Sequence, residues 1–163
     1  LIDKMLPDDH HLSKKDEEWV IFKDERFNVN YPIEGKRKFL SGGCGLSSTV
    51  QDYYKFLTVF LNDGKFKGKK FISRKTNNLI FKNQLPESFG LGVGLAFGIL
   101  LEKDLKNGGT GSVGTISWGG YWNTSFFADP KDKYIGLIYK QTQNIQDDSS
   151  DLFRRAVSTS VVK

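Results

Sequence analysis

Residues 109–130, GTGSVGTISWGGYWNTSFFADP, decide how this chain is read. The first six fit G-x-G-x-x-G, and Asp129 follows about twenty residues on, the spacing of a dinucleotide-binding fingerprint. That fingerprint needs a strand leading into the glycines and a helix leaving them, so that a pyrophosphate rests on the helix N-terminus. Here a polar loop, EKDLKNG, leads in, and TISWGGYW, rich in β-branched and aromatic residues, leads out as a strand. Asp129 stands in an Asp-Pro turn, not at the end of a second parallel strand. No Gly-Lys-Ser/Thr occurs, which removes a P-loop as well. The glycines of 108–114 therefore read as a flexible connection into a strand that matters.

On that strand stand Trp118, Gly119 and Gly120. Paired glycines in a strand pack nothing and cost stability. Two readings follow from local chemistry, and both stay open at this level. The pair is a bulge or bend that re-aims the strand. Or a ligand lies against the backbone there, where strand N–H groups hold an oxyanion or pair with a peptide-like substrate.

Working outward, SGGCGLSS (41–48) is a glycine-rich turn whose Ser47 or Ser48 caps a following helix. In that helix Val50, Tyr53, Tyr54, Leu57, Phe60 and Leu61 form an apolar stripe, and Gly64 ends it. KFKGKKFIS (65–73) reads as a short hairpin around Gly68; Ser73 caps a second helix, SRKTNNLIFKNQL, stopped by Pro86. From Phe89 the pattern turns to period two, with glycines 90, 92 and 94 on one strand face, where they admit another backbone closely. Strands follow through 116–130 and 132–142, with Tyr121 and Asn123 sharing a face of the first. Asp148, Ser149 or Ser150 then caps a last helix with Leu152, Phe153, Ala156 and Val157 on one face. Residues 1–40 are irregular, with short strands at WVIF (19–22) and RFNVNYP (26–32). The expected class is α+β: an antiparallel sheet with flanking helices, divided as 1–40 irregular, 41–88 helical, and 89–163 strands plus a C-terminal helix.

The bulk properties narrow the function. A chain of 163 residues with 13 Phe, 6 Tyr and 3 Trp builds one ordinary core. There is no run of ~18 apolar residues for a membrane span and no apolar leader at the N-terminus, although the chain begins with Leu and reads as a piece of a longer product. Eight Lys/Arg against Asp63 alone lie between Lys55 and Lys82. That charge reads as a solvated face or a contact for an anionic partner. No aromatic-interleaved RNA motif or helix-turn-helix accompanies it, so no nucleic acid is expected. The single Cys44 excludes an internal disulfide, and adjacent His10 and His11 do not converge on a metal.

Taken in order, GGCGLSSTVQDYYKFLTVFLNDGKFKGKKFIS, NQLP, FGLGVGLAFGIL and GSVGTISWGGYWNTSFFADPKDKYIGLIYKQT resemble the C-terminal part of serine β-lactamase-related proteins. This group includes class C β-lactamases, D-alanyl-D-alanine carboxypeptidases and family VIII carboxylesterases. The resemblance runs from about Ser41 to Thr142. It implies a β-lactamase/transpeptidase-like fold and hydrolysis of an ester, amide or peptide-like small molecule through an acylated serine, without cofactor or metal. Trp118-Gly119-Gly120 takes the place of the Lys-Thr-Gly strand motif, closer to the esterase-like branch. By that match the backbone N–H of Tyr121 is an oxyanion donor, and Trp118, Gly119, Gly120 and Asn123 contact substrate.

The Ser-x-x-Lys and Tyr-x-Asn motifs of that group precede the matched segment. Ser160-Val-Val-Lys163 fits the first only as the end of the last helix, and Tyr121-Trp-Asn123 fits the second only beside the strand motif. Asn123-Thr124-Ser125, a glycosylation sequon, reads as coincidental on a strand. The chain is thus expected to carry the oxyanion strand but not the nucleophile, and to be inactive alone. The competing reading is a non-catalytic β-lactamase-like binding or assembly module that uses the basic 55–82 surface. An open sheet edge is expected to bind the preceding part of the fold or a second copy.

Overall fold

In the computed structural model of the chain, the described residues are 10–23, 42, 46, 48–143, 145 and 147–161. The expected strand at 26–32, Cys44, Ser47 and Lys163 lie outside them. Elements run β1 (His10–Lys15), β2 (Glu18–Lys23), α1 (Val50–Leu61), β3 (Lys65–Phe66), β4 (Lys69–Lys70), α2 (Arg74–Ile80), β5 (Gly98–Ile99), α3 (Glu102–Lys106), β6 (Ile116–Gly119), β7 (Ser125–Asp129), β8 (Tyr134–Ile138) and α4 (Ser149–Ser160).

The scaffold is an antiparallel four-stranded sheet in the order β5-β6-β7-β8, with α1 on one face and α4 on the other. Strand β7 shows why. In SFFAD every residue from Phe126 to Asp129 is buried, as expected of a strand covered on both sides. Phe126 and Ala128 point toward α1 and pack with its Leu57, Phe60 and Leu61. Phe127 points the other way, onto Phe153 of α4, ring centroids 5.8 Å apart. Opposite it, Gly136 has no side chain because the Phe127 ring lies over its backbone. The α1 side is an aromatic lattice: Phe60–Phe97 at 5.4 Å, Phe97–Phe126 at 5.5 Å and Tyr53–Phe126 at 5.2 Å, tilted or edge-to-face.

Helix α1 is capped by Thr49, whose hydroxyl accepts from Asp52 N at 3.1 Å. The hydroxyl one position later than Ser48 wins because it can reach the N–H of the first turn. Its C-terminus turns through Asp63 (φ 54) and Gly64 (φ 81), with Gly64 N donating to Val59 O at 2.8 Å. Lys133 donates to Leu61 O at 2.7 Å and so ties that end to the β7–β8 turn. Val50 and Tyr54 of the apolar stripe stay exposed; Leu57, Phe60 and Leu61 are buried. Ser73 caps α2, which ends at Ile80, six residues before Pro86. Asn83 stops it instead, because its side chain binds Leu85 N and O and Val93 N and fixes a loop there.

Several further expectations need correction. No strand runs from Phe89: Glu87–Phe89 is one turn of 3-10 helix, Gly90 is left-handed, and only Gly98–Ile99 pairs with β6. Gly92 and Gly94 still admit close backbone, since a Cβ on either would strike the carbonyls of Ile99 and Ile80. The polar EKDLKNG segment is a short helix, α3, because Asp104 reaches back to Leu101 N at 2.7 Å. On α4 the inward residues include Phe153 and Val157, while Leu152 and Ala156 face outward. The cap of α4 is also displaced: Asp147, not Asp148, accepts Ser149 N at 2.7 Å. In the segment read as irregular, β1 and β2 form a hairpin that joins the sheet region through Leu12, which exchanges backbone bonds with Gln141 and Gln143.

The glycine loop has an anion after all. Asp129 is fully buried, and its carboxylate accepts Ser112 N (2.7 Å), Thr115 Oγ1 (3.1 Å), Lys131 N (2.9 Å) and Asp132 N (3.0 Å). Burial pushes this carboxyl up, but the N–H groups of Asp132, Ser112 and Lys131 outweigh it and hold the group below its ordinary range. A carboxyl lowered on folding adds stability that is fully present above its unfolded pKa of about 4 and is lost as pH falls through the folded value. Asp129→Asn is therefore expected to cost about 2 kcal/mol at pH 7 and Asp129→Ala about 3 or more, since buried donors lose their acceptor. Urea midpoints from pH 7 to 3 should fall less steeply in Asp129→Asn than in the parent; equal acid slopes would count against the carboxylate as the anchor.

Candidate functional site

Strand β6 leaves the Asp129-anchored loop and pairs with β7 residue for residue, from Ile116↔Ala128 to Gly119↔Ser125. There is no bulge. The turn that follows closes through Gly120 N to Thr124 O (2.8 Å) and Asn123 N to Gly120 O (3.0 Å). On its other side β6 pairs with β5 only at Ile116 and Ser117. Among the described residues no strand covers the outer edge of Trp118 and Gly119.

That edge lines a cavity of about 470 Å³. Trp118, Gly119, Gly120 and Tyr121 form part of its wall, with Tyr53 of α1 and Tyr139 just beyond β8. Thus four of the five residues singled out from the sequence meet at one place. Asn123 does not join them. Tyr121 and Asn123 lie in the hairpin turn rather than on a strand, Asn123 with φ 63, and the Asn123 amide donates to Thr142 Oγ1 and Asp147 Oδ2, each at 3.0 Å. A two-fold strand periodicity ends where the turn begins, which is why alternation misplaced this side chain. The same bonds occupy the nitrogen that a glycan on the Asn123 sequon would need.

Tyr53 and Tyr139 were not foreseen as site residues. Burial, and for Tyr53 also the nearby Tyr139, pushes both phenols above their ordinary value, so both stay protonated at neutral pH. The signal for Tyr53 lay in the apolar stripe itself, where a polar-tipped ring stood among aliphatic positions. No charged side chain lines the cavity among the described residues. Trp118 and Tyr121 remain about half exposed at 56% and 51%, with the Tyr121 ring meeting Trp122 edge-on at 4.9 Å.

The two glycines of the wall differ from those of the loop. A Cβ on Gly119 would meet only Thr124 O, at an ordinary 3.6 Å, and neither Gly119 nor Gly120 has positive φ. Gly120 would press on the movable Thr124 hydroxyl. By contrast Gly111 has φ 108 and lies where a Cβ would come 2.8 Å from Thr115 Oγ1. The basic stretch is partly self-satisfied: Lys55 pairs with Asp52 at 2.7 Å, Arg74 with Asp63 at 3.8 Å, and Lys67 and Lys69 lie over Phe66 and Phe71. Among the described residues no three His, Cys, Asp or Glu converge on a metal position, and no helix is long and apolar enough to cross a membrane.

Among the described residues a four-stranded antiparallel sheet thus stands between helices, with two small hairpins beside it and an open strand edge at a cavity. The chain belongs to the Beta-lactamase family, whose model matches residues 5–159. It is 32% identical over 135 residues to Protein Rv1367c of Mycobacterium tuberculosis, a match covering 71% of this chain and 33% of that protein. The same figures hold for Uncharacterized protein MT1414 of another strain of that species. The chain therefore spans about a third of the length of these relatives. Among solved structures it resembles a mutant of simvastatin synthase (LovD) from Aspergillus terreus, with TM-score 0.73, 21% identity and coverage of 93% of this chain and 42% of that one. It also resembles EstCE1, a hydrolase with promiscuous acyltransferase activity, with TM-score 0.71, 19% identity and coverage of 91% and 43%.

The contrast between the glycines is measurable. Gly119→Ala is expected to change stability by less than about 1 kcal/mol, and Gly111→Ala to cost about 2 kcal/mol through backbone strain and contact with Thr115. Thermal melting of the two variants should separate them by several degrees; equal melting would mean that packing explains both glycines.

Proposed function

We propose that this chain is the oxyanion-strand portion of a serine hydrolase that cleaves an ester or amide through an acyl-enzyme. One observation carries the reading. Gly119 is required neither by backbone conformation nor by packing, yet it stands on an uncovered strand edge beside a cavity. A side chain there would narrow the approach of a ligand to the strand backbone. The Gly120 N–H is committed to Thr124 O, and the next N–H, that of Tyr121, is the one the family resemblance assigns to the oxyanion. The second donor would be the N–H of the acylated serine, supplied by a part of the protein outside this segment.

In this mechanism the serine oxygen attacks the carbonyl carbon and the carbonyl oxygen takes up the negative charge. The N–H of Tyr121 holds that oxygen until the alcohol or amine departs. Water then adds to the acyl-serine and passes through the same oxyanion. Trp118 replaces a lysine of the lactamase-type motif, so this wall supplies no cation for a substrate carboxylate. A neutral ester suits it better than a β-lactam acid. EstCE1, a hydrolase with promiscuous acyltransferase activity, supports such chemistry by fold analogy alone.

The complete gene product is expected to be labelled covalently by a fluorophosphonate, and the 163-residue segment alone to remain unlabelled. No adduct on the complete protein, under conditions that label a control esterase, would sink the enzyme reading and favour a binding module. An adduct on a serine of the isolated segment would show that the nucleophile lies inside it.

The same reading assigns the outer edge of β8 a strand partner from the rest of the fold or from a second copy. Among the described residues no strand pairs with it along Tyr134–Ile138. Sedimentation of the isolated segment should show association; a cooperatively melting monomer would refute it.

A further inference from the structure

The turn carrying Tyr121 is gripped by a polar cluster that the reaction above does not use. Asn123 donates to Asp147 Oδ2 and Thr142 Oγ1, each at 3.0 Å, and Thr142 N donates to Trp122 O at 3.2 Å. Asp147 Oδ2 also takes Lys140 Nζ at 2.8 Å, and Asp147 Oδ1 takes Ser149 N at 2.7 Å, at the start of α4. The Lys140 ammonium has three N–H bonds, and three oxygens meet it: Asp147 Oδ2, Ser149 Oγ (2.9 Å) and Ser150 Oγ (3.0 Å). The two side chains are only 13% and 16% exposed.

Such a pair is a poor choice if stability alone is at stake, because withdrawing both charges from water offsets most of their attraction. What it gives is direction. A fully bonded ammonium and carboxylate fix four segments in one arrangement: the 120–124 turn, the exit of β8, the 147 linker and the first turn of α4. An oxyanion donor needs this, since misplacement by about 1 Å costs on the order of a hundredfold in rate. We propose that Lys140 and Asp147 are positioning residues that act through Asn123 to hold the Tyr121 N–H and the adjoining cavity wall. The catalytic half of this proposal rests on the reading of Tyr121 as an oxyanion donor.

The test separates the two halves. Hydrogen exchange is measured on the full 163-residue chain for Asp147→Asn and for Asn123→Gly, the latter keeping the left-handed turn without the amide. In both variants the amides of 120–124 should exchange about tenfold faster or more, while those of α1 stay as in the parent. Fluorophosphonate capture is then measured on the complete gene product carrying the same substitutions. The limiting capture rate should fall about ten- to a hundredfold, with the half-saturating probe concentration changed less than threefold. Unchanged exchange at 120–124 in both variants would overturn the clamp. Faster exchange with an unchanged capture rate would leave the clamp standing and overturn the role of Tyr121. If Asp147→Asn does not fold, Asn123→Gly decides alone.

Discussion

The buried carboxylate of Asp129 is the constraint on which the rest of this structure depends. It closes the glycine loop through Ser112 and Thr115 and the β7–β8 turn through Lys131 and Asp132, so one group ties the start of β6 to the turn between β7 and β8. A buried charge is costly unless it is fully bonded, and here two of its four partners come from a segment seventeen and fourteen residues away. Register follows from this: with the loop and the turn joined, β6 and β7 align without slippage, and Ile116 and Ala128 come to the α1 face together. A one-residue slip would send both to the wrong side.

Strand β7 then acts as the divider of two different interiors. Toward α1, rings of Phe60, Phe97 and Phe126 meet edge-on and leave space beyond Phe126, where Tyr53 and Tyr139 border the cavity. Toward α4, Phe127 fills the gap left by Gly136 and carries Arg154 over its ring at 5.5 Å, while Tyr134 bonds Ser158 at 2.9 Å. The second side is closed by interdigitation; the first is not. Openness on the α1 side goes with the short reach of β5, whose pairing ends at Gly98↔Ser117 and, among the described residues, leaves the next residues of β6 without a strand neighbour on that side.

What the sequence disclosed and what it withheld divide along physical lines. The helices α1, α2 and α4, the Ser73 cap, the 65–70 hairpin, the meander and the α+β class were legible, since local spacing determines them, while the caps of α1 and α4 and half of the α4 stripe were not. The failures arose where a side chain bonded at a distance. The period-two pattern at 89–99 looked like a strand, but Asn83 accepts Val93 N, and Gly94 N and Ile99 N donate to Phe97 O and Gly92 O, which folds that backbone on itself. Asp104 folded a polar linker into α3 by reaching its own N-terminus. Trp118, Gly119, Gly120 and Tyr121 were singled out because a motif marks them, and the fold brings them to one cavity wall. Tyr53 and Tyr139 come from other elements and converge only in the folded chain, and Asn123 was misassigned because alternation cannot foresee where a turn starts. The glycine motif taught the same point from another side: its loop does hold an anion, but one from the chain itself.

Strand β6 is only four residues long, yet polar networks hold it at both ends. At its start stands the Asp129 carboxylate with Ser112 and Thr115. After its end stands Asn123, bonded to Thr142 and to the Lys140–Asp147 pair. Between these anchors no strand covers the edge of Trp118 and Gly119 among the described residues, and neither packing nor backbone conformation calls for glycine at 119. A strand fixed at its ends and open along its middle does not have to reorganise when charge develops beside it. That is the condition under which backbone N–H groups stabilise an oxyanion more strongly than water does. A bulge would have used the glycines to bend the strand; the unbroken register is what the proposed approach of a ligand to this backbone requires.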